Sequence, residues 1–274
     1  MNASASKKGV WLGVFFRSFA VLFAAAGLLI LQGLSEGLEP WVRSFMASTP
    51  LEEGLRFHAA AHGALIGILF SFSLLAMLKE PLSKPLLLNF YFVGHLIFLA
   101  TLSATDPALA KQSFFVFILF TVVLVVLYAV YGGRREIFRP SEPKAMNRTL
   151  LLMTGIALLA LSPVIVRGLI EQATDGQMQF RWGEGAALGL TLLYAGYLTA
   201  TSRTGARALG YLQALAYAYM GAASLTLPDY PGSWGLWGGL AAIAYGIVYG
   251  AVVRLQLAPR PATAAPGAVN TRTE

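Results

Sequence analysis

The chain contains no cysteine. That excludes disulfides, thiolate metal sites, iron–sulfur clusters and covalent attachment of a c-type haem. Charge is scarce as well. Asp, Glu, Lys and Arg make up 12% of the 274 residues, where a soluble domain carries about 25%. Histidine occurs three times, so imidazole chemistry is confined to three positions.

What is abundant is apolar. Hydrophobic residues are 57% of the chain. Eight runs are each long enough to cross a bilayer core, which takes about 20 residues as helix. They cover residues 10–32, 59–78, 86–104, 113–132, 149–168, 183–201, 206–225 and 235–254. The expectation is an all-α, polytopic membrane protein with eight transmembrane helices. The first run is too long for a signal-peptide core and lacks an A-x-A site at a suitable position, so it reads as a retained helix.

A net charge of +7 would suggest nucleic acid as the partner of a soluble protein. Sorting the basic residues by side gives a different account. With the N-terminus in the cytoplasm, 14 of the 20 Lys and Arg residues fall on the inner side and five outside, and Arg17 lies within the first helix. Four of the 13 acids lie inside and nine outside. This is the positive-inside bias, not a nucleic-acid patch. Both termini are expected in the cytoplasm of a bacterial inner (cytoplasmic) membrane. The tail, 257–274, lacks apolar periodicity and is expected to be disordered.

The first four runs resemble the last four in order. HGALIGILFSFSLLAML from 62 answers to EGAALGLTLLYAGYLTA from 184. LSATDPA from 102 answers to LTLPDYP from 225, and LYAVYGGRR from 127 to AYGIVYGAVVR from 244. Four spans per unit is even, so both units have one orientation: parallel repeats about an axis along the membrane normal. The expected organisation is a four-helix unit over 1–138, a cytoplasmic linker over 139–148, a second four-helix unit over 149–256, and the tail. Charges and two prolines in GGRREIFRPSEPKAMNR, 132–148, argue against a ninth helix there.

Each unit resembles the DoxX-like small four-helix membrane proteins of bacteria. The resemblance lies in a first apolar helix, an outer loop, and a small-residue helix opening at a charged or polar lip: LRFHAAAHGALIGILF and FRWGEGAALGLTLLY. Some members of that group associate with quinone-linked oxidation, so the resemblance implies a redox-accessory role. It carries over no catalytic residue.

The three histidines are the candidate ligands. His58 and His62, spaced i, i+4, share one face of a helix. Counting from the inner turn near Leu82 at 1.5 Å per residue puts both at the outer end of their helix, at the height of Asp106. The set His58, His62, Asp106 is zinc-like. The pair could equally be a polar lip bonded to water and backbone, a quinone-headgroup site or a pigment ligand. His95 lies roughly 10 Å deeper. That difference in depth fits a bis-histidine haem between His62 and His95 poorly, and leaves a single-ligand haem or chlorin-type pigment open. An ionisable group inside the membrane is a functional candidate by default, although one interhelical hydrogen bond satisfies a neutral imidazole. The rough counterpart of His95 in the second unit is Tyr217.

Other polar residues read as structural. Arg17 is close enough to the inner face to snorkel. Glu184 is expected to pair with Arg181 or Arg167. Trp11, Trp41, Trp182, Trp234 and Trp237 read as interfacial aromatics, and 39–48 as a short amphipathic surface helix. Gly185/Gly189 and Gly246/Gly250 have the small-xxx-small spacing of close helix approach.

The chain offers no nucleotide-binding loop and no nucleophile–base set, which points away from an enzyme. The expected role is an integral accessory subunit of a larger, redox-linked membrane complex. It would pack against lipids and other transmembrane subunits, and hold a lipid, quinone or pigment. The alternatives are an oxidoreductase component binding haem or metal through His58, His62 or His95, and a small-solute permease.

Overall fold

The computed structural model describes residues 3–46, 50–141, 145–174 and 179–257. All regular structure among them is helical: α1 (Ala3–Leu29), α2 (Ser35–Leu38), α3 (Arg56–Gly63), α4 (Phe72–Leu75), α5 (Pro85–Thr105), α6 (Pro107–Gln112), α7 (Phe114–Val130), α8 (Arg134–Phe138), α9 (Arg148–Thr174), α10 (Arg181–Ala200), α11 (Ala206–Thr226) and α12 (Gly235–Gln256). A π-helical stretch, Ala64–Ser71, joins α3 to α4 and makes one rod of residues 56–75.

A helix stands in each of the eight expected stretches. Five are long and apolar enough to cross a membrane: Val10–Leu29, Glu53–Leu75, Pro85–Thr105, Arg148–Thr174 and Gly235–Gln256. α7 is apolar but shorter, at 17 residues. α10 and α11, at 20 and 21 residues, are long enough but less apolar.

Burial explains that difference. α10 is the central helix, packed on α3, α5, α9 and α11. The 56–75 rod is 78% buried, whereas the α1 and α9 spans are 22% buried. A central helix can carry polar groups if its neighbours satisfy them, and a peripheral one cannot. α1, α7, α9 and α12 accordingly expose large apolar side chains such as Leu22, Val125, Leu159 and Ile247.

Helix ends follow local chemistry. Asp106 accepts the Leu109 amide at 2.9 Å and caps α6, whose first residue is Pro107. Asn147 accepts the Leu150 amide at 3.1 Å and starts α9. Lys84 Nζ donates to the Ala76 and Lys79 carbonyls, and Arg17 Nε to the Leu78 carbonyl. Cations thereby satisfy the free carbonyls where the 56–75 rod ends. Gly205, at φ 100°, makes the tight turn between α10 and α11.

Segment 33–38 folds onto the 56–75 rod through glycine. Gly37 meets Gly63 and Gly33 meets Gly67, backbone against backbone. A Cβ on Gly63 would overlap Gly37 Cα, and one on Gly33 would stand 3.1 Å from Gly67 N. The same device brings Gly246 of α12 against α11, where a Cβ would meet Ala214 O at 2.7 Å. Gly189 packs on Ile165 of α9, whereas Gly185 faces open space.

Three expectations need correction. The described part of 39–48 is a series of turns, not a surface helix; the local helix is Ser35–Leu38. Glu39 there is buried and accepts the Ser44 amide at 2.8 Å, which curls the chain. Trp182 is a core residue, 8% exposed, because α10 is central; Trp11 and Trp237 are exposed. Segment 132–148, expected to hold no ninth helix, contains one short turn, α8, just before the 139–148 linker, fastened by Asn89 Nδ2 donating to the Ile137 carbonyl at 2.9 Å. The 257–274 tail lies outside the described residues beyond Leu257.

Candidate functional site

His95 lies inside the bundle, 1% exposed. Its Nδ1 is 2.7 Å from the Tyr91 carbonyl one turn earlier. A carbonyl only accepts, so Nδ1 carries the proton and Nε2 of the neutral ring keeps its lone pair. Nε2 has no hydrogen-bond partner among the described residues. The ring stacks on Phe70 with centroids 3.8 Å apart, and Tyr91 and Phe120 complete an aromatic collar.

This collar bounds an apolar cavity of about 250 Å³ among α1, the π-helical stretch, α5 and α7. Its rim includes Leu22, Ile30 and Leu119, which are exposed on the outer face of the bundle. The cavity thus opens sideways. The π-helical stretch contributes Ile66, Phe70 and Ser71. Its wider turn is held by Ser71 Oγ donating to the Ile66 carbonyl, five residues back, at 2.8 Å. π-Bulges of this kind recur at functional sites. Chemically, the cavity offers an apolar guest the polar groups of His95, Tyr91 and Ser71 in an otherwise apolar lining.

The other two histidines part company. His62 turns to a buried charge cluster. Its Nε2 donates to the Leu31 carbonyl at 2.9 Å, and its Nδ1 stands 3.1 Å from Glu184 Oε1, a close charge contact rather than an aligned hydrogen bond. Glu184 also accepts from Arg181 Nη1 at 3.3 Å. Arg181 grips both oxygens of Glu36, at 2.7 and 2.9 Å. With His62 as imidazolium, two carboxylates face two cations. The cluster ties α2, α3 and α10 together. Beside it Arg56 donates to the carbonyls of Glu39 and Pro40 and to Glu53, while the Tyr230 hydroxyl donates to Glu53. This second group fastens the 228–234 loop to the start of the 56–75 rod.

His58 also meets α10, at a different residue. Its ring meets Trp182 edge-on, centroids 4.6 Å apart, and its buried Nε2 is without a partner. Asp106 is occupied as the cap of α6. His58, His62 and Asp106 are not gathered around one point: among the described residues no group of three or more His, Asp or Glu is placed to hold a metal ion. The i, i+4 spacing put both imidazoles on one helix, but the packing of α10 gave each a different neighbour. Glu184 pairs with Arg181 as expected. Its contact with His62, and the roles of Glu36, Gly33 and Gly37, were not anticipated. The Gly33/Gly37 and Gly63/Gly67 pairs share four-residue spacing, which is the signal that would have revealed that contact.

No family model matches the chain, and neither a curated protein nor a solved structure matches it.

Proposed function

We propose that this is an eight-span bacterial inner-membrane accessory subunit that holds a small, flat, lipid-soluble hydroxylic ligand, of the quinol class, against His95. The observation that carries the reading is the proton-free Nε2 of a buried imidazole at the wall of an apolar cavity open to the lipid side. A quinol hydroxyl can donate to Nε2, and the apolar lining, Leu22, Phe23, Ile66 and Val123 among it, suits a ring. Ligand pockets for drug-sized molecules run from about 300 Å³ upward, so a volume of about 250 Å³ suits one substituted ring better than a tetrapyrrole. The sideways opening suits entry from the bilayer. The apolar outer faces of α1, α7, α9 and α12 offer contact to lipids and to other transmembrane subunits.

The proposal includes the tandem, DoxX-like duplication. Two cavities support it. The His95 cavity lies among helices α1, α5 and α7 of the first half. A second, of about 480 Å³, lies among α9, α11 and α12, with Tyr217 on its wall. These are the corresponding helices of the second half. His95 and Tyr217 also stand, to within one residue, equally far from the ends of their helices.

The test is binding of a short-chain quinol to the purified full-length chain in mild detergent, compared with His95→Phe. The native chain is expected to bind, and the variant to keep its helical spectrum and bind at least about tenfold more weakly, the equivalent of about 1.4 kcal/mol. Equal binding by both, or none by the native chain, sinks the quinol reading. One competing reading uses the same geometry. A histidine whose Nδ1 donates to a carbonyl is also oriented as a metal or haem ligand. A Soret band in the purified protein, lost in His95→Phe, would favour it.

A further inference from the structure

A second cavity, of about 210 Å³, lies beside His58 and Trp182, between α9, α10 and the 232–234 turn. It shares Val164, Ser233 and Trp234 with the cavity of about 480 Å³ between α9 and α12, so the two lie end to end along α9. The two ends of this groove differ. The far end is apolar, lined by Ile156, Ala160, Ala241 and the ring of Tyr245. The near end is lined by Arg167, Trp182 and His58, with His58 Nε2 and Trp182 Nε1 buried behind the surface without a partner. Arg167 lies over the Trp182 ring, 5.2 Å from its centroid. Its Nε reaches Glu171 at 3.5 Å, which leaves the two terminal nitrogens for another acceptor. Gly232, at φ 78°, lets the loop close over the imidazole; a Cβ there would stand 2.7 Å from His58 Cε1.

We infer that this groove binds an anionic phospholipid, its phosphate at Arg167 and one acyl chain between α9 and α12. The chemistry at each end selects the occupant. The Arg167 guanidinium is suited to a phosphate, and an apolar slot to a hydrocarbon chain. The length agrees. From Arg167 to Ile156 along α9 is about 16 Å at 1.5 Å per residue, about half of a hydrocarbon core of about 30 Å. One leaflet's chain therefore fills it. This site is separate from the His95 cavity and does not depend on what that cavity holds.

The full-length chain, purified in mild detergent, is titrated with phosphatidylglycerol and with phosphatidylcholine of identical chains, and bound lipid is counted by native mass spectrometry. Phosphatidylglycerol is expected to bind at least about tenfold more tightly. Arg167→Gln, at a side chain 64% exposed and so tolerated by the fold, is expected to abolish that preference, weakening phosphatidylglycerol more than phosphatidylcholine, whose choline cation already offsets its phosphate. Ala160→Phe, which fills the slot, is expected to weaken both lipids. Inorganic phosphate at the same concentrations is expected to leave phosphatidylglycerol binding unchanged. The inference is overturned by equal affinities in the native chain, by an unaltered preference in Arg167→Gln, by an Ala160→Phe variant that binds as before, or by phosphate displacing the lipid.

Discussion

His62 Nδ1 stands 3.1 Å from Glu184 Oε1. These two residues occupy corresponding positions in the two halves of the sequence, each opening a small-residue helix. They face each other because the 56–75 rod and α10 pack side by side. The proposed duplication about an axis along the membrane normal accounts for this contact, since residues near such an axis meet their own counterparts.

The cluster around this contact should behave as a unit. Arg181 is the buried cation between Glu36 and Glu184. Arg181→Met leaves two carboxylates with His62 as their single cation and is expected to cost about 3–5 kcal/mol. Adding Glu36→Gln and Glu184→Gln should restore much of that loss, since buried polar groups replaced together cost less than one partner removed. Unfolding in mild detergent measures both. Strictly additive losses across the three substitutions would show that the groups are not coupled.

Two glycines that look alike in sequence should differ in tolerance. Gly63→Ala drives a methyl into Gly37 Cα and must push backbone apart, at an expected cost of about 1–3 kcal/mol. Gly185→Ala meets nothing within 4 Å, so its effect should stay within about 1 kcal/mol, the size of the helix-propensity difference. Thermal melting of the two variants ranks them; the reverse order would refute the packing between 33–38 and the 56–75 rod.

Topology is open to a direct check because the native chain has no cysteine. Single cysteines at Ser6, Ser48 and Ser141 should divide cleanly. An impermeant thiol reagent added to intact cells should label position 48 alone. Labelling at 141 from outside would overturn the charge-sorting argument and the assignment of both termini to the cytoplasm.

The duplication predicts a symmetry. The halves should superpose by rotation about the membrane normal, laying α10 on the 56–75 rod and Tyr217 on His95. A best fit about an in-plane axis would end the parallel-repeat proposal.

Much of this architecture is legible in the chain. An apolar run of about 20 residues has one economical solution away from water, a helix that satisfies its own backbone, so the number and place of the long helices follow from composition alone. The small-residue character of 185–200 and 206–223 marks close packing. The turns are legible for similar reasons: Asp106 before Pro107, Asn147 two residues before Thr149, and glycine at 205. Local chemistry decides these, and local chemistry is what a sequence records.

Partnership between helices is not local. Nothing in the spacing of His58 and His62 says that one will meet Glu184 and the other Trp182; that depends on how α10 is rotated against the 56–75 rod. His95 could be recognised in sequence as a deep imidazole. Only the packing of α1, α5 and α7 around a π-helical stretch left its Nε2 bare at the wall of a cavity. Trp182 likewise reads as an interfacial aromatic and is a core residue, because α10 is central. The chain by itself determined an all-helical protein with five helices long and apolar enough to cross a membrane, since hydrophobic length is a one-dimensional property. The tertiary structure decided which polar groups are paired, which are orphaned and which cavities they face, since those depend on the rotation and contact of helices far apart in sequence.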